Sequence, residues 1–169
     1  MASVIQVEEL KGPTSGVNAN KVKVQDGSTF EYTPVSGGIV QVKSIVHTAT
    51  FDTTLNTYVT QASTTFTPKF SDSLIIVEWS GHVYKYNSAN GGNCPARIMF
   101  NGRQFWQNNY LMYTYNSSHE YMTAAYARGQ GTADTTSAVE VVFQISAGTM
   151  GHQYVYGGTG GLKITEVRP

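Results

Sequence analysis

Apolar and polar residues alternate with a period of two along several stretches of this chain, a pattern typical of β-strands with one buried face. The longest example is SLIIVEWSGHVYKY, residues 73–86. The pattern places one set of side chains inward, Ile75, Val77, Trp79 and Val83, and the other outward, Glu78, Ser80, His82 and Tyr84. Gly81 interrupts the run of side chains and predicts a β-bulge in this strand.

A second stretch, SAVEVVFQIS, repeats the alternation and predicts inward Val139, Val141, Phe143 and Ile145 with outward Glu140 and Gln144. Further strands are predicted in GIVQVKSIVHT with Val40, Val42 and Val46 aligned, TTFTPKF, ARIMFN with Ala96, Ile98 and Phe100 aligned, EYMTAAYAR, HQYVY and GLKITEV. Between ARIMF and RQFWQ, Asn101-Gly102 predicts a type I′ hairpin, because both central positions of that turn need a positive φ.

Turn-rich segments separate these strands at residues 68–73, 87–95, 129–136 and 157–161. Eight or so strands at this spacing, with no competing amphipathic helical window, predict an all-β chain whose main domain is a jelly-roll-like β-sandwich. The composition supports this fold class, because 12% aromatic residues, 17 glycines and only 13% charged residues suit strands and turns better than helices.

Charge and length narrow the classes of function. The 169 residues carry 11 basic and 11 acidic side chains, so the formal net charge is zero and no electrostatic footprint for nucleic acid is present. No apolar run approaches the roughly 18 residues of a membrane span, and the acidic start MASVIQVEEL differs from a signal peptide. We expect no nucleic-acid partner, no membrane insertion and synthesis in a cytoplasm without export by a signal peptide.

Residues 1–36 differ from the rest of the chain. Short apolar pairs such as Val4 with Ile5 recur there without a large side chain, and Gly-Pro, Ser-Gly and Asp-Gly steps break the segment repeatedly. Such a segment alone cannot offset its ordering entropy. It is either a disordered tail or an extended arm that orders against other copies or another protein, and we expect the arm, followed by a β-sandwich domain at residues 37–169.

Several of these segments resemble bacteriophage tail-fibre and related virion fibre proteins, of the type common in marine and cyanobacterial phages. They are the opening VIQVEELKGPTSGVNANKVKVQDGSTFEY and the body segments GGIVQVKSIVHTATFDTT, FTPKFSDSLIIVEWSGHVY, TTSAVEVVFQISAG and LKITEV. The resemblance implies a homotrimer on the virion, with a C-terminal β-sandwich and an N-terminal arm that binds other virion proteins.

The sequence shows no pattern of catalytic or metal-binding residues. The serine elbow G-x-S-x-G does not occur, and the four histidines are scattered without a ligand partner at i+2 or i+4. Glu78 and Glu140 fit the outward positions of strands, and Cys94 has no basic neighbour to activate its thiol. We expect no enzymatic activity, no cofactor and a free structural cysteine.

Aromatic and amide side chains are densest at residues 104–126. The candidate contacts for a host receptor or glycan are Trp106, Asn108, Asn109, Tyr110, Tyr113, Tyr115 and His119. Aromatic faces stack on the apolar face of a sugar while amides and hydroxyls bond its hydroxyl groups, as in antibody paratopes. The alternative is that these aromatic residues fill the core or a subunit interface.

These expectations combine into a non-enzymatic, homotrimeric tail fibre that attaches to the host surface, with a glycan as the receptor. Two other functions stay open from the sequence: a capsid decoration or head fibre without a receptor role, and a polysaccharide depolymerase.

Overall fold

The computed structural model describes residues 36–46, 50–85, 92–114, 121–148, 153–155 and 160–169. The predicted arm, apart from Ser36, lies outside these ranges. Ten strands and no helix occur in the described residues: β1 (Ile39–Val46), β2 (Phe51–Thr53), β3 (Val59–Phe66), β4 (Leu74–Lys85), β5 (Gly92–Phe100), β6 (Arg103–Thr114), β7 (Tyr121–Thr132), β8 (Val139–Ile145), β9 (Gln153–Val155) and β10 (Gly161–Val167).

The strands form two antiparallel sheets that pack face to face. In the larger sheet, β4 pairs with β7 along one edge and with β10 and β9 along the other, and β1 and β2 lie beyond β10 and β9. The smaller sheet has the order β3-β8-β5-β6. With the short strands β2 and β9 set aside, this connectivity is the double Greek key of a jelly roll, so the all-β sandwich prediction is confirmed.

The core lies between the sheets, where the predicted inward positions of β4 and β8 meet. Ile75, Val77, Trp79 and Val83 are all 0% exposed, and the inward residues of β8 are buried as well. The rings of Trp79 and Phe143 stack with centroids 4.0 Å apart, which joins the two sheets at their centre. The Trp79 indole N–H donates to Oε1 of Gln61 at 3.1 Å, so the one polar atom of this ring is satisfied in the core.

The bulge predicted at Gly81 is absent, and the glycine has another role. Pairing between β4 and β7 runs without a register shift from Leu74 to Lys85. A Cβ at position 81 would lie 2.8 Å from a carbon of the Trp79 ring, closer than real contacts allow. The absence of a side chain at Gly81 therefore leaves room for the indole of Trp79, and the strand stays regular.

Val42 and Val46 of β1 face solvent and Val40 is half-buried, because β1 is an edge strand whose inner side carries polar groups. Val42 is 50% exposed and Val46 is 70% exposed. On the inner side, Nε2 of Gln41 donates to the carbonyl of Thr67, and Nζ of Lys43 donates to the carbonyl of Thr65. These bonds occupy carbonyls along β3 and its end, and an inward-pointing lysine also protects an edge strand from aggregation.

Two predicted turns are partly strands. Residues 92–95 of the turn predicted at 87–95 begin β5, and residues 129–132 of the turn predicted at 129–136 end β7. Position 129 of β7 requires a glycine, because a Cβ there would lie 2.9 Å from the Cβ atoms of Phe105 and Trp106 in β6. The hairpin at Asn101-Gly102 is confirmed, with φ of +50° and +74°.

Candidate recognition surface

A row of polar side chains crosses all four strands on the outward face of the smaller sheet. Cross-strand pairing sets Thr60 of β3 opposite Gln144 of β8, Gln144 opposite Arg97 of β5, and Arg97 opposite Gln107 of β6. Residues that are paired in this way lie on the same face of a sheet. The neighbours of Arg97 along β5, Ala96 and Ile98, are 0% exposed and face the core.

The row is held together by directed contacts. Nε of Arg97 donates to Oε1 of Gln144 at 2.7 Å, and Nε2 of Gln144 donates to Oγ1 of Thr60 at 3.1 Å. The guanidinium carbon of Arg97 lies 4.2 Å from the centroid of the Tyr58 ring, within the range of a cation–π contact. The arginine is therefore fixed from two sides on this face.

The phenol of Tyr58 stays protonated at neutral pH. Burial raises its pKa above the ordinary value, and the neighbouring Cys94 acts in the same direction, while the charge of Arg97 opposes them. The ring therefore presents a neutral hydroxyl group beside the guanidinium of Arg97.

Beyond Gln107, β6 departs from regular pairing with β5. Cys94 pairs with Met112 but Ala96 pairs with Asn108, so residues 109–111 have only Pro95 opposite them. A proline has no N–H to donate to a neighbouring strand, and an irregularity of this kind redirects side chains.

Amide side chains hold this irregular part of β6 in place. Nδ2 of Asn93 donates to the carbonyl of Asn109 at 2.8 Å, and Nε2 of Gln107 donates to Oδ1 of Asn109 at 3.2 Å. The backbone N–H of Tyr110 donates to Oδ1 of Asn108 at 2.8 Å. The bulged backbone therefore has its own hydrogen-bond partners although the ladder to β5 is interrupted.

Two tyrosines stand outward at this bulge. Tyr110 is 62% exposed and Tyr113 is 55% exposed, and their rings meet edge to face with centroids 5.9 Å apart. Large exposed aromatic side chains of this kind are typical of binding surfaces. The recognition surface is defined here by six residues: Tyr58, Arg97, Gln107, Asn109, Tyr110 and Tyr113.

The structure brings together three of the residues singled out in the sequence, Asn109, Tyr110 and Tyr113. Asn108 is exposed and bonds the backbone of Tyr110. Trp106, in contrast, pairs with Ile98 and is partly buried against the core, as the alternative expectation had it. The candidates Tyr115 and His119 lie outside the described residues.

Sequence reasoning missed Tyr58, Arg97 and Gln107 because their proximity depends on strand order and register. A signal was available in the strands themselves, since Arg97 and Gln144 are polar residues at alternate positions of otherwise apolar runs. Alternation showed that such residues face outward, but it could not show that β5 and β8 are neighbours.

The larger sheet carries a different feature on its outward face, an open trough of about 310 Å³. Pairing aligns Val46, Gly161, Ser80 and Tyr126 across β1, β10, β4 and β7. Because glycine and serine form the middle of this row, the trough lies between the side chains of Val46 and Tyr126, whose strands are about 14 Å apart.

A small network of polar groups borders the trough. The Tyr126 hydroxyl donates to Oε1 of Glu78 at 2.6 Å, and Nζ of Lys163 lies 3.2 Å from Oε2 of the same carboxylate. The hydrogen bond from Tyr126, together with Lys163, lowers the pKa of Glu78, and the same bond raises the pKa of Tyr126. Glu78 is therefore a paired surface carboxylate, as its outward position in the strand predicts.

The described residues contain no group of three or more His, Cys, Asp or Glu side chains placed to hold a metal ion. Within the same ranges, no helix has the length and apolar character to span a membrane. Cys94 is 0% exposed and unpaired, and burial raises the pKa of its thiol to about 12. The thiol is therefore neutral and inaccessible at physiological pH.

Comparison with known proteins adds no assignment: no protein-family model matches the chain, and no curated protein matches it significantly.

Proposed function

We propose that this chain is a structural fibre protein of a bacteriophage virion, located on the tail, that binds a glycan of the host surface. The fold is compatible with this role, because jelly rolls are common among viral capsid and lectin domains, but a fold alone does not assign a function. The observation that carries the proposal is the pair of exposed tyrosines, Tyr110 and Tyr113, which share one face of the smaller sheet with amide groups and a fixed guanidinium. The role is binding and architecture, without enzymatic activity or a cofactor.

The chemistry of this surface suits a sugar. The aromatic faces of Tyr110 and Tyr113 offer stacking area, and the amides of Gln107 and Asn109 offer donors and acceptors for hydroxyl groups. The two amides are already bonded to each other, so their orientation is set before a ligand arrives. Such pre-organisation reduces the entropy that binding must overcome.

We propose further that the protein is a homotrimer and that the outward face of the larger sheet lies against neighbouring copies. Val42, Val46, Met122 and Tyr126 are each at least 50% exposed, and pairing places all four on that face. The two valines lie on β1, and Met122 and Tyr126 lie on β7, so exposed apolar side chains flank this face on both sides, as is typical of subunit interfaces. In this proposal, residues 1–36 attach the trimer to other virion proteins.

Adsorption to host cells tests the recognition surface. The double variant Tyr110→Ala with Tyr113→Ala removes the stacking area, and Leu55→Ala is the control because it removes a similarly exposed apolar side chain that belongs neither to the recognition surface nor to the proposed trimer interface. We expect the double variant to lose binding to host cells and to their purified polysaccharide, and the control to retain it. Unchanged adsorption of the folded double variant would refute the proposed site.

Location and activity are tested separately. Electron microscopy of virions labelled with an antibody to this chain is expected to show the label on tails, and a label on heads would favour a capsid decoration. Incubation of the purified protein with host polysaccharide is expected to leave the polymer length unchanged. Shortened chains would instead indicate a depolymerase.

A further inference from the structure

We propose that the recognition surface selects glycans that carry an anionic group, a carboxylate or a sulfate ester, through two parallel hydrogen bonds from Arg97. This inference rests on the proposed glycan-binding function and names the class of ligand. It depends on the hydrogen bonds that the Arg97 guanidinium makes, on the charges around this group and on its position relative to the exposed tyrosines.

The guanidinium of Arg97 is held in place, and most of its N–H donors meet no acceptor among the described residues. Arginine has five N–H donors in a planar fork, and within the described ranges only the donor on Nε is bonded, to Gln144. In the part of the chain that the structure describes, the two terminal nitrogens meet no acceptor. Gln144 is itself anchored by Thr60, and the ring of Tyr58 lies against the guanidinium. Four donors are therefore held ready on a fixed group.

The positive charge of Arg97 has no nearby counter-ion among the described residues of this face. The acid that shares the outward side of β8 is Glu140, four residues from Gln144 and so about 13 Å away along the strand. Gln107 and Gln144, the paired neighbours of Arg97, are both neutral. Arg97 as a residue is partly buried, and the Tyr58 ring covers one face of its guanidinium, so that face is shielded from water. An anion from outside would complete this site.

Arginine is suited to this task because its fork matches the two oxygens of a carboxylate or sulfate group. Charge-assisted hydrogen bonds of this kind are roughly twice as strong as neutral ones, and the bidentate geometry makes them selective. A fixed arginine gains more from such a pair than a mobile one, because less conformational entropy is lost on binding.

The tyrosines and the arginine lie at different points of one surface. Tyr113 pairs with Asn93 and Gln107 pairs with Arg97, so the two ends are about 13 Å apart along β5. That separation exceeds a single sugar ring, which indicates an oligosaccharide stretch whose neutral part stacks on Tyr110 and Tyr113 while an acidic sugar reaches Arg97.

Three polymers test the ligand class: polygalacturonate, which carries carboxylates, dextran sulfate, which carries sulfate esters, and neutral dextran. Binding of the full chain is measured by calorimetry at two salt concentrations. We expect tenfold or greater preference for at least one anionic polymer over dextran, weakened by salt as charge-assisted binding requires. Preference for polygalacturonate identifies a carboxylate as the group, and preference for dextran sulfate identifies a sulfate ester.

Variants separate Arg97 from charge in general. We expect Arg97→Gln to lower affinity for the preferred anionic polymer at least tenfold, and Arg97→Lys, which keeps the charge but loses the fork, to lower it several-fold. Lys69→Gln is the control, because it removes an exposed positive charge from the connection between β3 and β4, outside the recognition surface and the proposed trimer interface, and we expect it to leave affinity unchanged. Circular dichroism checks folding, and Arg97→Lys supplies the test if Arg97→Gln does not fold.

Failure of this inference differs from failure of the proposed function. Equal binding of neutral and anionic polymers, or unchanged affinity in the folded Arg97 variants, overturns the anionic ligand class while glycan binding stands. Absence of binding to all three polymers and to purified host polysaccharide overturns the glycan-binding function itself, and the inference with it.

Discussion

Among the described residues, the otherwise apolar core contains a fully buried glutamate, Glu166, which is 0% exposed. Its carboxylate accepts hydrogen bonds from the backbone N–H of Lys69 at 2.9 and 3.0 Å, from that of Phe70 at 3.0 Å, and from Nε2 of Gln41 at 2.6 Å. A buried charge is tolerated when such donors surround it. One side chain of β10 therefore fixes both β1 and the connection from β3 to β4.

We expect Glu166→Gln to lower the free energy of unfolding by about 1–3 kcal/mol, the cost of leaving buried hydrogen-bonding groups unsatisfied. The amide replaces one acceptor oxygen with an NH₂ group, which would face N–H donors. Glu140→Gln makes the same chemical change at an exposed position of β8 and should stay within about 0.5 kcal/mol of the parent protein. Urea denaturation measures both, and equal stabilities of the two variants would contradict this account.

At the scale of the strand, β4 shows how a glycine and a tryptophan share one inward face. Trp79 and Gly81 point to the same side, and the indole lies over the glycine. The result is a flat aromatic contact with Phe143 of the opposite sheet, with an angle of 9° between the rings. The strand remains regular because the space is provided by a missing side chain and not by a distorted backbone.

We expect Gly81→Ala to destabilise the protein by about 1–3 kcal/mol, the usual cost of overpacking a core. The added methyl group would lie 2.8 Å from the Trp79 ring and displace it from Phe143. Ser80→Ala, at the neighbouring exposed position, is the control and should change stability little. Urea unfolding followed by tryptophan fluorescence measures both, and a Gly81→Ala variant at least as stable as the parent would show that the ring moves without cost.

The sequence was informative about strands and less so about their assembly. Period-two alternation predicted the inward faces of β4 and β8 because those strands are long and their buried positions are strongly apolar. It did not predict the start of β5, because Asn93 and Pro95 are typical turn residues that here flank the buried Cys94. The recognition surface could be predicted only in part, because Arg97 meets Gln144 through pairing between strands about 45 residues apart.

On the scale of the whole molecule, the two outward faces differ in character. The smaller sheet presents the polar row, in which Arg97 is bonded by Gln144, together with the exposed tyrosines of β6. The larger sheet presents Val46 at one side of its trough and Tyr126 at the other, with the exposed Val42 further along β1. A trimer that associates through the larger sheet would leave the recognition surface of every copy facing outward. The proposed trimer and the proposed glycan binding are therefore compatible in one assembly.

The proposed homotrimer predicts that the full chain in solution has about three times the monomer mass of 18.4 kDa. We expect Val46→Lys to dissociate the assembly, because a charge placed on an apolar interface must be desolvated. Leu55→Lys, at a similarly exposed position outside that sheet, should leave the mass unchanged. Light scattering at micromolar concentration measures all three proteins. A stable monomer of the parent chain would refute the trimer. A trimer that persists in the Val46→Lys variant would show that the subunits contact each other elsewhere. Residues 1–36 would then be the next candidate, and their deletion should release folded monomers.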